Sequence, residues 1–328
     1  MINKGDPVLV FGAGSIGERH IGVLQKMGYL NIWVYRKRLF PLRNIDASTI
    51  HTITNLNQVK DHKPSFAIIC TPTALHLEQT LFCVENNIPV LVEKPLSHSL
   101  AGFEELHAMV VKNSAVVHIA YMLRYHPFMQ RIKKWVVNQE FGDLLNIQTY
   151  WGEYLPDWHP WEDYSTSYPA CKELGGGVAL TLSHDIDLVN WIAGSEIVEW
   201  HNLKNYRSNL DVNVEAGSDI SMAYQNGITA HCHLNYFEKV ARRYYRFILD
   251  NASIEVDYLN NTMTLLFPNG EIERQVLQNF DRNELFEKQL EGFVLNLRKS
   301  DPTKMIESKK IIEICNGVHS NQNTFSPN

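Results

Sequence analysis

The chain has 328 residues, 45% of them hydrophobic and 20% charged. At roughly 100–200 residues per domain that length favours two domains, and the composition excludes a long disordered chain. Lys and Arg number 30 and Asp and Glu 36, a formal net charge of −6, whereas a general nucleic-acid binder carries a basic excess or a basic run.

Residues 8–11, 31–35, 66–71, 90–93 and 115–120 are short, nearly continuous apolar runs rich in β-branched side chains. Such runs read as strands buried on both faces. Between them, residues 16–27, 75–85 and 100–111 are amphipathic. Strand and helix in alternation predict an α/β domain with a doubly wound parallel sheet over residues 1–122. A second α/β domain is expected over 123–328. It opens with a strand at 145–153 and an irregular, aromatic-rich stretch at 154–173. Gly175-Gly176-Gly177 then introduces a helical segment at 178–193. Residues 219–224, 228–236, 245–249, 253–258 and 264–267 suit a large antiparallel meander, with hairpin signals at Asn226-Gly227 and Asn269-Gly270. Helices at 283–298 and 304–317 close the pattern, and 320–328 read as a frayed end.

The first residues lack a charged and then apolar leader, and no apolar run reaches the length of a bilayer span. The five cysteines, Cys70, Cys83, Cys171, Cys232 and Cys315, are scattered and form no CxxC. A disulfide framework or zinc knuckle is therefore disfavoured. The expectation is a cytoplasmic protein with no membrane and no nucleic-acid partner.

The chemistry is concentrated at strand ends. The first strand runs into Gly12-Ala13-Gly14-Ser15-Ile16-Gly17, and a helix follows. In a strand–turn–helix context G-x-G-x-x-G reads as dinucleotide binding. Gly12 makes the tight turn, Gly14 admits the pyrophosphate, Gly17 lets helix and strand pack, and the N–H groups at Ser15 and Ile16 face the phosphates. The second strand ends in Tyr35-Arg36-Lys37-Arg38, with no acid to accept the ribose hydroxyls of NAD. Either this is a solvated basic loop, or Arg36 and Arg38 meet a 2′-phosphate; the second reading favours NADP(H) over NAD(H). Two further strands end in Thr71-Pro72-Thr73-Ala74-Leu75-His76 and in Glu93-Lys94-Pro95. Both fall at the carboxyl edge, where ligands of such sheets bind. Pro95 breaks the strand and fixes the course of the chain at Lys94, and an X-Pro bond at such a turn can be cis.

Taken in order, these motifs with Arg124 in Tyr121-Met122-Leu123-Arg124-Tyr125-His126-Pro127, and Gly175-Gly176-Gly177 followed by His184, resemble the Gfo/Idh/MocA oxidoreductases: glucose-fructose oxidoreductase, inositol dehydrogenase and relatives. The resemblance covers most of the chain. The stretch from Trp151-Gly152-Glu153-Tyr154 to Trp158-His159-Pro160 also looks like a subgroup linked to bacterial surface-sugar biosynthesis. The resemblance implies a Rossmann domain followed by an α/β domain with a mostly antiparallel sheet. It implies hydride transfer between a nicotinamide cofactor, bound in part by Thr71, Pro72, His76, Glu93 and Lys94, and a sugar, cyclitol or sugar-nucleotide carbon. It places Lys94 between nicotinamide and substrate, with His184 facing the reacting oxygen and Arg124 near the substrate.

One departure stands out. Family members often carry an Asp shortly before this His, and here Thr181 holds that place in Leu180-Thr181-Leu182-Ser183-His184-Asp185. Either the carboxylate is missing, or Asp185 or Asp187 supplies it. Thr181 keeps open a catalytically silent dinucleotide-binding relative, a sensor or assembly subunit. A redox-cycling sugar hydrolase or lyase is the third option. Trp151, Tyr154, Trp158, Trp161, Tyr164 and Tyr168 read either as a core plug or as a wall on which a sugar ring stacks, with His159 as a polar contact. His231 and His233 share one strand face but have no third ligand in spacing, so no metal site is expected. A broad sheet with one open face suggests a homo-oligomer, a dimer or tetramer.

Overall fold

The computed structural model describes residues 3–317. Its first sheet contains β1 (Val8–Phe11), β2 (Ile32–Tyr35), β3 (His51–Ile53), β4 (Phe66–Ile69), β5 (Val90–Val92) and β6 (Val117–Ile119). The order is β3-β2-β1-β4-β5-β6 with all neighbours parallel. The crossovers are α1 (Ser15–Lys26), α2 (Asn57–His62), α3 (His76–Glu85) and α4 (Phe103–Asn113). The order reverses beside β1, which puts the topological switch point, and hence the ligand crevice, at the carboxyl ends of β1 and β4.

Alternation along β1 explains the layers. Val8 and Val10 face one cluster with Ile21 and Leu24 of α1, while Leu9 and Phe11 face another with Phe103, Leu106 and Val110 of α4. Both faces are covered, so the strands carry no polar stripe, as expected of a parallel sheet.

The second unit begins with α5 (Pro127–Val137) and β7 (Leu144–Tyr154). A series of short 3-10 turns leads to α6 (Val178–Thr181) and α7 (His184–Ala193). Then come β8 (Ile197–Asn205), β9 (Gly217–Tyr224), β10 (Thr229–Asn235), β11 (Phe237–Leu249), β12 (Ser253–Asp257), β13 (Thr262–Leu266) and β14 (Ile272–Val276). The sheet order is β14-β13-β12-β11-β7-β10-β9-β8. It is mostly antiparallel, but not a plain meander. Only Tyr236 separates β10 from β11, and there the chain rounds the end of β7, so β10 lies parallel to β7 and β11 antiparallel to it.

The helices α8 (Asn283–Leu295) and α9 (Thr303–Asn316) return to the first sheet. Leu285, Phe286, Leu290 and Phe293 of α8 belong to the cluster over Val8 and Val10. Met305 and Ile312 of α9 belong to the cluster on the other face, while its Ile311, Ile314 and Cys315 pack into the second unit. A cut at residue 122 therefore separates the two sheets but not the two cores. The chain end supplies one helix to each face of the first sheet, and α9 joins the units. The expected frayed end at 320–328 lies outside the described residues. Among the described residues no helix is long and apolar enough to cross a membrane.

Candidate active site

The glycine turn is built as the motif requires. Gly12 has φ +86°, a left-handed conformation that favours glycine. Its N–H donates to the Tyr35 carbonyl at 2.9 Å, tying the turn to β2. A Cβ on Gly17 would stand 2.3 Å from the Gly12 carbonyl oxygen, so a larger residue would drive α1 off the strand. A Cβ on Gly14, the N-cap of α1, would meet nothing within 4 Å. That open space lies before the first-turn N–H groups of Ser15, Ile16 and Gly17, which have no carbonyl partner inside the helix. The residues present fit a dinucleotide pyrophosphate. The buried Glu18 carboxylate, unforeseen in the sequence, accepts the N–H groups of Arg43 at 3.0 Å and Asn44 at 2.7 Å. It thereby fastens the loop after β2 to α1.

In that loop no carboxylate follows Tyr35 before Asp46. The Arg36 guanidinium turns back on the loop, donating to the carbonyls of Arg38 and Phe40. Arg38 itself is exposed.

Beyond β4, the Thr71 hydroxyl donates to Gln79 Oε1 at 2.7 Å, and Pro72 caps the 3-10 turn that leads into α3. His76 is buried, with Nδ1 2.8 Å from the Pro95 carbonyl and Nε2 2.8 Å from the Thr71 carbonyl. Both ring nitrogens face backbone carbonyls, one in each strand-end loop, and the N–H of the neutral ring donates to one of them. Burial lowers its pKa below the ordinary imidazole value. Glu93 is likewise a brace, with its Oε1 2.7 Å from His20 Nε2 on α1. Burial opposes its ionisation, but His20 and Lys94 outweigh burial and hold its pKa below the ordinary carboxylate value.

The Lys94–Pro95 bond is cis. Lys94 Nζ crosses to the second unit and donates to the Thr181 carbonyl at the end of α6. Burial lowers its pKa to about 8, with the charges of Arg282 and Arg243 adding to the effect and Glu93 opposing it. His184, the first residue of α7, packs edge-on against Tyr121 with ring centroids 6.0 Å apart. Burial drives its pKa well below the ordinary imidazole value, and Lys94, Arg243 and Arg282 push the same way. The Thr181 carbonyl that Lys94 meets thus lies three residues before His184, and the Lys94 charge acts on the imidazole.

Among the described residues no carboxylate acts on His184, and Asp185 and Asp187 hold other partners. Asp185 is fully buried and accepts from Arg243 Nη2 at 2.7 Å and from the Tyr245 hydroxyl at 2.9 Å. Asp187 accepts from Arg124 Nε at 2.9 Å and Nη2 at 2.6 Å. Asp185, expected as a catalytic partner, is thus bonded to Arg243 and Tyr245. Successive helix positions point in different directions, so Asp185 turns inward from His184. Arg124, expected near the substrate, grips Asp187 with its fork and reaches Glu307 at 3.1 Å, bridging α7 and α9. The triple glycine positions the pair. Gly177 has φ +117°, and a Cβ there would meet Glu215 Oε1 at 2.6 Å. The Glu215 carbonyl accepts from Val178 N–H at 3.2 Å, fixing the start of α6.

The aromatic stretch divides. Trp158 meets Tyr236 edge-on at 5.5 Å and packs against the second core. Tyr154, paired with Phe237 where the chain rounds β7, has Lys239 Nζ 5.7 Å from its ring centroid. His159 is half-buried and 5.1 Å from Trp161. Trp161 is exposed and carries the Arg43 guanidinium 4.3 Å from its centroid, which joins the stretch to the loop after β2. His231 and His233 bond Ser221 at 3.0 Å and Asp219 at 2.6 Å. Among the described residues no group of three or more His, Cys, Asp or Glu is placed to hold a metal.

Comparison with known proteins agrees with this geometry. Residues 7–121 match the oxidoreductase family with an NAD-binding Rossmann fold, and residues 129–255 match the GFO/IDH/MocA C-terminal domain. The uncharacterized oxidoreductase YrbE of Bacillus subtilis is 28% identical over 204 residues, 58% of this chain and 54% of its own length. The scyllo-inositol 2-dehydrogenase (NADP(+)) IolW of the same organism is 25% identical over 121 residues, 37% of this chain and 32% of its own. The chain thus spans about half or less of the curated relatives named here. Among solved structures, the UDP-N-acetylglucosamine 3-dehydrogenase GnnA of Acidithiobacillus ferrooxidans superposes with a TM-score of 0.76 at 17% identity, covering 97% of this chain and 98% of its own, a likeness of fold. With both of its domains matched in order, the chain belongs to the Gfo/Idh/MocA family of oxidoreductases.

Proposed function

We propose that the protein is an NAD(P)-dependent oxidoreductase acting on a CH–OH carbon of a sugar, cyclitol or sugar nucleotide. The observation that carries the reading is the meeting of Lys94, from the carboxyl edge of the first sheet, with the Thr181 carbonyl three residues before His184. When bound, the nicotinamide supplies the hydride acceptor or donor. The chain's own residues handle the proton. A group doing so must reach the reacting oxygen and have a pKa near working pH. Lys94, at about 8, meets the second condition. Neutral His184 orients the same oxygen by a hydrogen bond. The Thr181 carbonyl holds the ammonium in place without a fixed negative charge, which would otherwise raise its pKa. Trp158 and His159 lie on the stretch we assign to the substrate side, in a role consistent with surface-sugar biosynthesis. The test is a panel of sugars and nucleotide sugars, assayed in both directions with both cofactors by reduced-nicotinamide absorbance. Net change with one class supports the reading. Product formed without net change favours the redox-cycling alternative instead.

The cofactor we propose is NADP(H). With Arg36 ordering the loop, exposed Arg38 is the group free to meet a 2′-phosphate. Fluorescence titration is expected to show NADPH binding about tenfold or more tightly than NADH, the worth of a charge-assisted bond. Arg38→Ala should remove that difference, and equal binding by the unchanged protein would refute it.

We also propose self-association through the sheet face opposite the core, as a dimer or tetramer in the cytoplasm. There Tyr150 stacks between His233 at 4.7 Å and Tyr244 at 5.0 Å, and Tyr244 and Val240 are exposed. Sedimentation is expected to give at least a dimer, and Tyr244→Glu to shift it toward monomer.

A further inference from the structure

Two arginines near the Lys94–His184 pair make no ion pair among the described residues. Arg19 lies on α1 one residue before His20 and is half-buried. Its guanidinium stands 5.2 Å from the centroid of the Phe286 ring. The same ring meets His20 edge-on at 5.4 Å, and His20 holds Glu93, the residue before Lys94. Arg282 is the exposed N-cap of α8, four residues before Phe286. Two residues before it, Phe280 packs on His126 at 5.1 Å. Residues 280–286 thus run from His126, at the start of α5, to His20 on α1, and carry Arg282, whose charge acts on Lys94 and His184.

The other charges nearby are already matched. Glu93 faces His20 and Lys94, Asp185 holds Arg243, and Asp187 and Glu307 hold Arg124. Asp281 also acts on Arg19, and its Oδ1 accepts the Asn283 N–H at 2.9 Å. Burial chiefly, with the charge of Arg282, lowers the Arg19 pKa, while Glu93 and Asp281 oppose the shift. Guanidinium forks match the planar, bidentate geometry of phosphate and carboxylate.

We propose that Arg19 and Arg282 form a clamp for an anionic group on the substrate, so that the preferred substrate is a sugar bearing a phosphate, diphosphate or carboxylate rather than a neutral sugar or cyclitol. The oxidoreductase reading enters only in calling this ligand the substrate. The clamp is separate from the pyrophosphate site, because that site lies at the open Gly14 turn, whereas Arg19 is five residues further along α1.

The test is calorimetric titration of NADPH-saturated protein with glucose, glucose 1-phosphate, UDP-glucose and glucuronate. At least one anionic probe is expected to bind about tenfold or more tightly than glucose, and Arg19→Gln and Arg282→Gln each to weaken it about tenfold, the worth of one charge-assisted bond. Arg282→Lys should restore part of the loss, and glucose and NADPH affinities should stay unchanged. Anionic probes that bind no better than glucose overturn the clamp. Variants that weaken NADPH but not the probes also overturn it and assign the arginines to the cofactor. Hydride transfer is read separately with NADP+, which accepts the hydride of a CH–OH probe: anionic binding that responds to both arginines, with no reduction of NADP+ by any bound probe, supports the clamp and counts against the oxidoreductase reading.

Discussion

Replacing Lys94 by methionine is expected to lower kcat by about 10²-fold or more, the scale of one acid–base group, while NADP(H) still binds. Methionine keeps much of the length and apolar stem but cannot carry a proton. The structure places the Lys94 amine on a backbone carbonyl and lowers its pKa to about 8, against 10.5 for an ordinary lysine, chiefly through burial. The sign of the pH dependence follows. Oxidation needs the free amine, so its rate should rise with pH through about 8; carbonyl reduction needs the ammonium and should fall through the same range. A limb set by His184 would lie on the acid side of the ordinary imidazole pKa, because burial and the neighbouring cations lower it. The pH–rate profiles in the two directions therefore separate the two groups. His184→Ala should also lose about 10²-fold in kcat, through loss of the oriented contact, but should keep the limb near 8. A Lys94→Met protein that turns over normally removes the assignment.

The second large effect is on stability. Asp185→Ala is expected to lower the unfolding free energy by about 3–5 kcal/mol, because it strips the partner from a buried guanidinium. Arg243 is only 3% exposed, lies 3.4 Å from the Trp151 ring centroid and donates through Nε to the Tyr245 hydroxyl at 2.6 Å. Without Asp185, both Arg243 and Tyr245 lose their shared acceptor. A typical domain has about 5–15 kcal/mol in all, so much of the variant should fail to accumulate as folded protein. Asp185→Asn keeps an acceptor oxygen and should lose less. Denaturant midpoints for both variants check this. An Asp185→Ala protein of undiminished stability with depressed kcat would instead restore Asp185 to the catalytic machinery.

The parallel sheet was legible because burial on both faces leaves apolar strand runs, and the glycine motif because its spacing is imposed by sterics at Gly12 and Gly17. The short strands His51–Ile53 and Ile272–Val276 escaped, since edge strands with exposed residues carry little periodic signal. The position of β7 between β10 and β11 was not legible either. A connection through Tyr236 alone looks like any tight hairpin, and its course round β7 is set by pairing distant in sequence. At the site, motif spacing led to Lys94 and His184 but could not say which carboxylates were free. His76, Arg124 and Asp185 all carry chemistry in principle, and each is engaged by a partner 19 to 63 positions away. Arg243 had a signal that was not used: an arginine whose place in the strand alternation falls on the core face beside Tyr245.

The central claim is that this chain moves hydride to and from a sugar-like carbon, and the most direct test follows the hydride itself. NADPH deuterated at the transferring C4 position is incubated with oxidised forms of the sugar panel, and the products are examined by mass spectrometry. The account predicts one deuterium fixed on the reduced carbon of a product, incorporated about 10²-fold or more slowly when Lys94→Met is used. If the cofactor stays bound and no panel member acquires deuterium, the dinucleotide serves a silent binding protein, and the account is contradicted.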